Sequence, residues 1–491
     1  MSSINNESKE VNELSKSVST IQLVGDPEDE ELVNRIVNDI FVNKKNIFLS
    51  GSAGVGKSYL IVNVIKRIAE SKNIPIAITS TTGVAALSIG GTTVHRWTGI
   101  KLGKEALLTI VNRIKTSNKD CYNRWKDTKI LVIDEVSMLG LLQFELIDRV
   151  GRYIRENDQP FGGMQVVFSG DFLQLPPVND QFVFKSETWD ELNIRCYRLT
   201  KSKRYPDEEH FQLLQRARVG KLSPEDIKKL KKRVDAYIDY VGSGREKKED
   251  IKPTRIFSYK KDVEKFNLDE LAKLPGDAIV FNSIDKFVVK QKRETSEKKD
   301  NKDSKKKEEL TAKDTLDYTE YMNTIVPKQL LFKPGAQVML TYNLSPNIGL
   351  VNGSRGVIKS IDQEGVMVCF KNGITTKIVY NPNEFEDGRV KMVRHQVPLI
   401  LAYAISIHKS QGSSLDSAIM DLGNSIFSAG MAYVALSRVR TLDGLLLSGF
   451  LAPKLYADKD ALEFEEMMEA MESADNETEK VNSDSELEIN V

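Results

Sequence analysis

Residues Gly51 to Ser58 read GSAGVGKS, and that spacing fits a phosphate cradle. Glycines 51, 54 and 56 let the backbone curl around an anion, so Gly51, Ser52, Ala53, Gly54, Val55 and Gly56 are candidate nucleotide contacts. Lys57 can reach β- and γ-phosphates, and Ser58 can ligate Mg²⁺. A glycine-rich strand-to-helix turn is the plainer alternative. Downstream, ILVIDE (130–135) puts four apolar residues before Asp134 and Glu135. Asp134 can hold Mg²⁺ through water, and Glu135 can polarise an attacking water. Such an acidic pair is common at strand ends. Behind a P-loop it supplies the other half of a site that uses ATP and Mg²⁺. A third stretch, GDFLQLPPV (170–178), follows the apolar run VVFS and fixes Gln174 ahead of two prolines. An amide on that edge can donate to a γ-phosphate or orient water. It can otherwise be a turn residue packed by the prolines.

These groups need a frame that brings strand ends together. NIFLS (46–50), IAITS (76–80), ILVI (130–133) and VVFS (166–169) read as strands. YLIVNVIKRIAE (59–70) and LLQFELIDRVGRYIRE (141–156) read as helices, the second with Leu142, Leu146, Val150 and Tyr153 at helical spacing. Strand–helix alternation predicts a parallel sheet covered on both faces, with ligands at the carboxyl ends of the strands. A second alternating block contains TRIFSY (254–259), AQVMLTY (336–342), LAYAISI (401–407), AIMDL (418–422) and LLLSG (445–449). Residues 352–397 carry strand-like runs at hairpin spacing, which predicts a small β-barrel or sheet. Residues 286–315 are a charged, low-complexity run that cannot build a core.

Composition limits the function classes. Of 491 residues, 40% are hydrophobic and 29% charged, which describes a soluble globular chain of several domains. The longest apolar run, VPLILAYAISI, stops at 11 residues, and no membrane span is expected. Three scattered cysteines and the lack of a signal-like start predict an intracellular protein. The net charge is zero, but residues 1–40 carry −6 and 456–491 carry −11, leaving +17 on the body. A basic body suits a polyanion partner, and solvated surface charge explains it equally. Residues 1–25 are polar and aperiodic, which predicts a disordered arm. Residues 456–491 read as a short helix fading into an acidic tail, able to compete with a polyanion for the basic body.

Several longer blocks occur in order. They are TTGVAALSIGGTTVHRWTGI (81–100), LVIDEVSML (131–139), PFGGMQVVFSGDFLQLPPV (160–178), LVNGSRGVI (350–358), AYAISIHKSQGSSLD (402–416) and YVALSRVRTLDGL (433–445). Together they resemble the Pif (petite integration frequency) family of DNA helicases, in superfamily one, branch B, with RecD-like relatives. The resemblance covers roughly 41–450. It implies two RecA-like α/β lobes with parallel sheets, spanning 26–200 and 201–285 plus 316–351 and 398–455. The barrel of 352–397 would be an insertion in the second lobe. It implies ATP, Mg²⁺ and movement 5′ to 3′ on single-stranded DNA or single-strand/duplex junctions, by a monomer on DNA.

Residue by residue, the resemblance puts Thr82, Gly83, His95, His408, Lys409 and Ser410 on DNA. Gln411 and Gly412 would couple to nucleotide, and Arg438 would be the arginine finger. Two positions depart from the family pattern. Lys203-Arg204-Tyr205 stands where aromatic-Arg-Gln is usual, leaving Arg204 as a second phosphate-sensing arginine. Asn34 stands where an adenine-reading Gln is usual. Trp97, Phe172 and Tyr205 could stack on bases or serve the core.

Overall fold

The computed structural model describes residues 27–101, 103, 105–245, 249, 251–289, 312–387 and 390–472. Readings of residues 1–26 and 290–311 lie outside them. Six strands form the N-terminal sheet: β1 (Ile47–Ser50), β2 (Ile76–Ser80), β3 (Thr92–Thr93), β4 (Ile130–Asp134), β5 (Gln165–Gly170) and β6 (Arg195–Arg198). Their spatial order is β3-β2-β4-β5-β1-β6, with every pairing parallel. Successive side chains point to opposite faces of a strand. Ile47, Leu49, Ile130, Val132 and Val167 therefore feed one core, and Phe48, Leu131, Ile133, Val166 and Phe168 the other. Double-sided burial explains the unbroken apolar runs of β1 and β4.

The helix 141–156 corrects its expected face. It spans Leu141–Arg155, but Leu142 is 68% exposed and Tyr153 is 49% exposed. The buried stripe is Phe144, Ile147, Val150 and Ile154. Both stripes have helical spacing, and packing against Phe161 and Phe168 selects the one that carries Phe144.

Residues 254–450 build more than one layer. β7 (Thr254–Phe257), β18 (Ala404–Ser406), β19 (Ala418–Leu422) and β20 (Leu445–Phe450) form a second parallel sheet in the order β18-β7-β19-β20. AQVMLTY is not part of it. β11 (Gln337–Leu340) instead pairs antiparallel with β12 (Arg355–Ile361) and β17 (Leu399–Leu401). With β13 (Gly365–Phe370) and β14 (Thr375–Val379) these make an open five-stranded sheet.

The expected barrel of 352–397 does not close. Its first three strands join β11 and β17, whereas β15 (Asn381–Asp387) and β16 (Val390–Gln396) pair with β9 (Ile284–Val289) in a separate three-stranded sheet. Arg394 fixes that split: it is fully buried and binds Asp285 through Nε and Nη2, both at 2.7 Å. β9 also enters the charged run expected from 286, and the helix Ala312–Ile325 begins within its other end. β8 (Ile279–Asn282) and β10 (Gln329–Phe332) make a two-stranded ribbon.

The short helix expected in 456–491 is present and packs on the fold, and residues 473–491 lie outside those described. Residues 459–472 are helical and docked on the N-terminal sheet. Phe464 stacks on Phe184 at 4.3 Å and meets Phe172 edge-on at 5.3 Å. Ala461 and Met468 are buried beside them. Deletion from 456 should therefore destabilise the fold, since losing one buried phenylalanine alone costs about 3–5 kcal/mol. Deletion after Glu472 should leave the melting temperature unchanged. The segment removed, 473–491, holds six acids and one lysine. Its loss should tighten DNA binding at low salt and change nothing at high salt. Melting curves and DNA titrations of both truncations check this, and equal low-salt affinity of the shorter cut and full-length protein would exclude competition by the acids.

Candidate functional site

The P-loop follows from its glycines. Gly51, Gly54 and Gly56 have φ of 142°, 85° and 104°, a region open to glycine and strained for other residues. Close packing adds a second constraint at Gly54, where a Cβ would lie 2.6 Å from that of Arg204. The helix Lys57–Leu60 starts at Gly56, continues through a π turn at Ile61–Ile65 and ends as Lys66–Ser71. Its first turn faces a cleft of about 390 Å³.

Into that cleft come Ala53, Gly54, Gly56, Lys57 and Ser58 from the loop, and Asp134 and Glu135 from the end of β4. Gln174, Arg204, Gly412 and Arg438 enter it from four further segments. Gly51, Ser52, Val55 and Gln411 lie behind this lining, and Asn34 is not part of it. Val55 is a core residue, and the Ser52 hydroxyl accepts from Gln215 Nε2 at 2.9 Å.

Burial sets the electrostatics. The Lys57 ammonium donates to the carbonyls of Gly51 and Ser52. Desolvation pulls its pKa down, opposed by Asp171, Glu135 and Asp134. Asp134 and Glu135 are pushed up, first by burial, and for Glu135 next by the charge of Asp134. Ser58 Oγ donates to Asp134 Oδ2 at 3.2 Å. One hydroxyl and one carboxylate facing a nucleotide cradle suit Mg²⁺, which usually keeps waters and substrate phosphates as its other ligands. Among the described residues no group of three or more His, Cys, Asp or Glu forms a dedicated metal cage.

Glu135 sits at φ 55°, a strained conformation for a non-glycine residue, and its carboxylate accepts from Gln411 Nε2 at 2.9 Å. Gln411 is buried and its Oε1 has no partner among the described residues, so an acceptor is left over beside the candidate base. This bond joins the two parallel-sheet halves of the molecule. Tyr433 adds another, its hydroxyl accepting the P-loop amide of Ala53 at 2.9 Å.

Arg438 is 1% exposed, and burial lowers its pKa to about 10, which leaves it charged at neutral pH. It donates to the Val434 and Ser410 carbonyls at 2.8 and 3.1 Å and to Ser437 Oγ at 2.6 Å. Arg204 Nη1 reaches the Ser437 carbonyl at 3.4 Å.

The DNA candidates occupy carboxyl ends of strands on both halves. Thr82 and Gly83 follow β2, and the Thr82 hydroxyl accepts from the Ala85 amide at 3.2 Å. His95 lies in the helix Val94–Thr98 after β3, its ring bonded to the Gln143 amide. His408 and Lys409 lie in the helix Ile407–Ser410 after β18, and Lys409 is exposed. Burial lowers the pKa of both histidines, which favours their neutral forms. Ser410 is different. It is fully buried and its hydroxyl donates to the Ile407 carbonyl.

Of the two readings open for Trp97, Phe172 and Tyr205, stacking on bases or serving the core, burial favours the core. Trp97 packs on Trp125 at 4.7 Å, Phe172 joins the Phe464 cluster, and the Tyr205 hydroxyl donates to the Ser437 carbonyl at 2.7 Å. The exposed pair is Tyr259 and Phe427, 43% and 51% exposed and stacked on each other at 5.0 Å. They follow β7 and β19, as His408 and Lys409 follow β18. Sequence reasoning passed over them: Tyr259 is the last residue of the predicted strand TRIFSY, and Phe427 lies five residues past AIMDL. It also passed over Asp171, whose Oδ1 accepts the Leu173 amide at 3.1 Å and whose Oδ2 accepts Gln174 Nε2 at 3.2 Å.

Comparison with known proteins agrees with this geometry. Residues 26–252 match the family model for PIF1-like helicase, and 319–361 match the model for the 2B domain of DNA helicase Pif1. The ATP-dependent DNA helicase PIF1 of Xenopus laevis is 34% identical over 443 residues, covering 88% of this chain. The chain spans only 64% of that protein's length. Uncharacterized protein 030L of Invertebrate iridescent virus 6 is 33% identical over 515 residues, covering 91% of this chain and 95% of its own. Among solved structures, Pif1 helicase from Candida albicans superposes with a TM-score of 0.70 at 28% identity, covering 91% of this chain and 100% of that one. With its P-loop half matched by the family model and the viral relative covered almost end to end, the chain belongs to the PIF1-like helicase family.

Proposed function

We propose that this protein is an ATP-dependent DNA helicase that moves 5′ to 3′ on single-stranded DNA and opens duplex or structured DNA in replication, repair or recombination. One observation carries most weight: the cleft is built from both halves of the molecule. The candidate base Glu135 is held by Gln411, and Arg438 enters from the same side as Gln411. ATP between two RecA-like lobes would draw them together, and hydrolysis would let them part. Lys57 and the loop amides would hold the phosphates, and Ser58 and Asp134 would hold Mg²⁺, which would supply positive charge to the phosphate oxygens. Glu135 takes the proton from the attacking water, and the free Gln411 Oε1 can accept that water's other hydrogen.

DNA would lie across Thr82, Gly83 and His95 on one lobe and His408 and Lys409 on the other. Contacts to phosphate at these positions would make the grip largely independent of sequence. Tyr259 and Phe427 offer a stacking surface on the second lobe, and such stacking is worth about 1–3 kcal/mol per base. Action as a monomer on DNA, and contact with replication or repair proteins through the acidic end, complete the proposal.

Gln174→Ala tests the site with least disturbance. Lys57, Ser58 and Asp134 stay in place, so ATP affinity should change little. Turnover should fall, because an amide aimed at the γ-phosphate matters most as charge redistributes there. Unwinding should fall further than hydrolysis if Gln174 carries the phosphate signal between lobes. ATP affinity, DNA-stimulated ATPase and strand separation all near wild type would reduce Gln174 to a turn residue.

A further inference from the structure

Gln174 does not stand alone. Asp171, which holds its amide, is fully buried and takes a two-pronged bond from Arg218, at 3.0 Å from Nε and 2.9 Å from Nη2. The third guanidinium nitrogen, Arg218 Nη1, forms an ion pair with Glu465 Oε1 at 2.8 Å. Arg218 and Glu465 are each 6% exposed. Glu465 belongs to the docked helix 459–472, beyond both stretches matched by the family models. The segment before that helix makes a second approach. The Tyr456 carbonyl accepts the Gly430 amide at 3.1 Å, and Gly430 packs so tightly on the Gln174 carbonyl that a Cβ there would stand 2.1 Å from it.

We propose that the C-terminal helix is a positioning element of the ATPase centre: Glu465 holds Arg218, Arg218 holds Asp171, and Asp171 holds the Gln174 amide. The inference rests on the reading of Gln174 given above. Its physical basis is the sharing of one cation between two carboxylates. With Glu465 present, Arg218 is drawn on two sides and its orientation is fixed. Without it, the full positive charge falls on Asp171 alone, which becomes a poorer acceptor for the Gln174 amide and lets it turn. The same charges reach the P-loop, where Asp171 favours the charged form of Lys57 and Arg218 opposes it. Glu465 and Arg218 touch no reacting atom in this account, and their effect passes through Gln174.

The test is a double-mutant cycle of Gln174→Ala and Glu465→Gln in the full chain, read by DNA-stimulated ATPase and thermal melting. Glu465→Gln keeps the volume and removes the charge. It should lower kcat by about 3- to 30-fold while KM for ATP stays within about twofold. In the Gln174→Ala background it should lower kcat no further, because the group it positions is already gone. Equal losses in both backgrounds would overturn the proposal, as would unchanged turnover in the single variant. Glu465→Asp guards against a folding effect: it keeps the charge and should recover turnover even if melting stays as low as for the glutamine variant. A loss as large as that of Glu465→Gln would also overturn it. The two readings fail separately. A wild-type protein without DNA-stimulated ATPase defeats the proposed function. A slow Gln174→Ala beside an unaffected Glu465→Gln defeats only this inference.

Discussion

Replacing Arg438 by alanine is expected to slow DNA-stimulated ATP hydrolysis by about 10³–10⁵-fold, the range typical of an arginine finger. The guanidinium lies at the cleft yet spends its donors on Val434, Ser410 and Ser437 of its own half. Those bonds hold it charged and oriented beside the cradle, from which a small movement of the halves would bring it to the γ-phosphate. Arg438→Lys should be nearly as slow, since a point charge cannot reproduce a planar fork. ATP affinity should change far less than turnover in both variants. Single-turnover hydrolysis, with melting curves to exclude loss of fold, measures the effect. Turnover within tenfold of wild type for Arg438→Lys would remove the finger role.

Glu135→Gln is the second large effect. The amide keeps the size of the side chain and cannot take up a proton, so ATP and DNA binding should persist while hydrolysis falls by about 10²–10⁴-fold. A pH profile adds a sign. Burial and the neighbouring charge of Asp134 raise the pKa of Glu135. Wild-type turnover should therefore be present above that raised pKa and decline as pH falls through it, at a pH higher than an ordinary glutamate would give. The glutamine variant should lack this limb. Retention of more than about a tenth of wild-type turnover would contradict a general-base role.

Local chemistry made the cleft legible in the sequence. GSAGVGKS, the Asp134–Glu135 pair and GDFLQLPPV each announce a strand end with a polar group beyond it, and parallel sheets gather such ends on one edge. Lys57, Ser58, Asp134, Glu135 and Gln174 meet for that reason. Arg438 and Gln411 lie far along the chain, and only the resemblance to a family linked them to the P-loop. Asp171, Arg218 and Glu465 escaped notice because charged residues are common, and nothing in their spacing says that three of them share one buried pocket. The aromatics were open to two readings. Trp97, Phe172 and Tyr205 stand inside chemical motifs, but rings of that size are drawn to the core, and the exposed pair Tyr259 and Phe427 stands outside them. Strands within 352–397 were visible from turn spacing, whereas their partners were not. Sheet membership depends on pairing with β9 and β11, both outside that segment.

Strand separation on forked DNA tests the central claim most directly. Equal duplexes carrying either a 5′ or a 3′ single-stranded tail are incubated with protein, Mg²⁺ and ATP, and release of the labelled strand is followed in time. The account predicts unwinding of the 5′-tailed substrate, little of the 3′-tailed one, and none with a non-hydrolysable ATP analogue or with Glu135→Gln. Preference for the 3′ tail, or ATP hydrolysis and DNA binding with no strand release from either substrate, would contradict it.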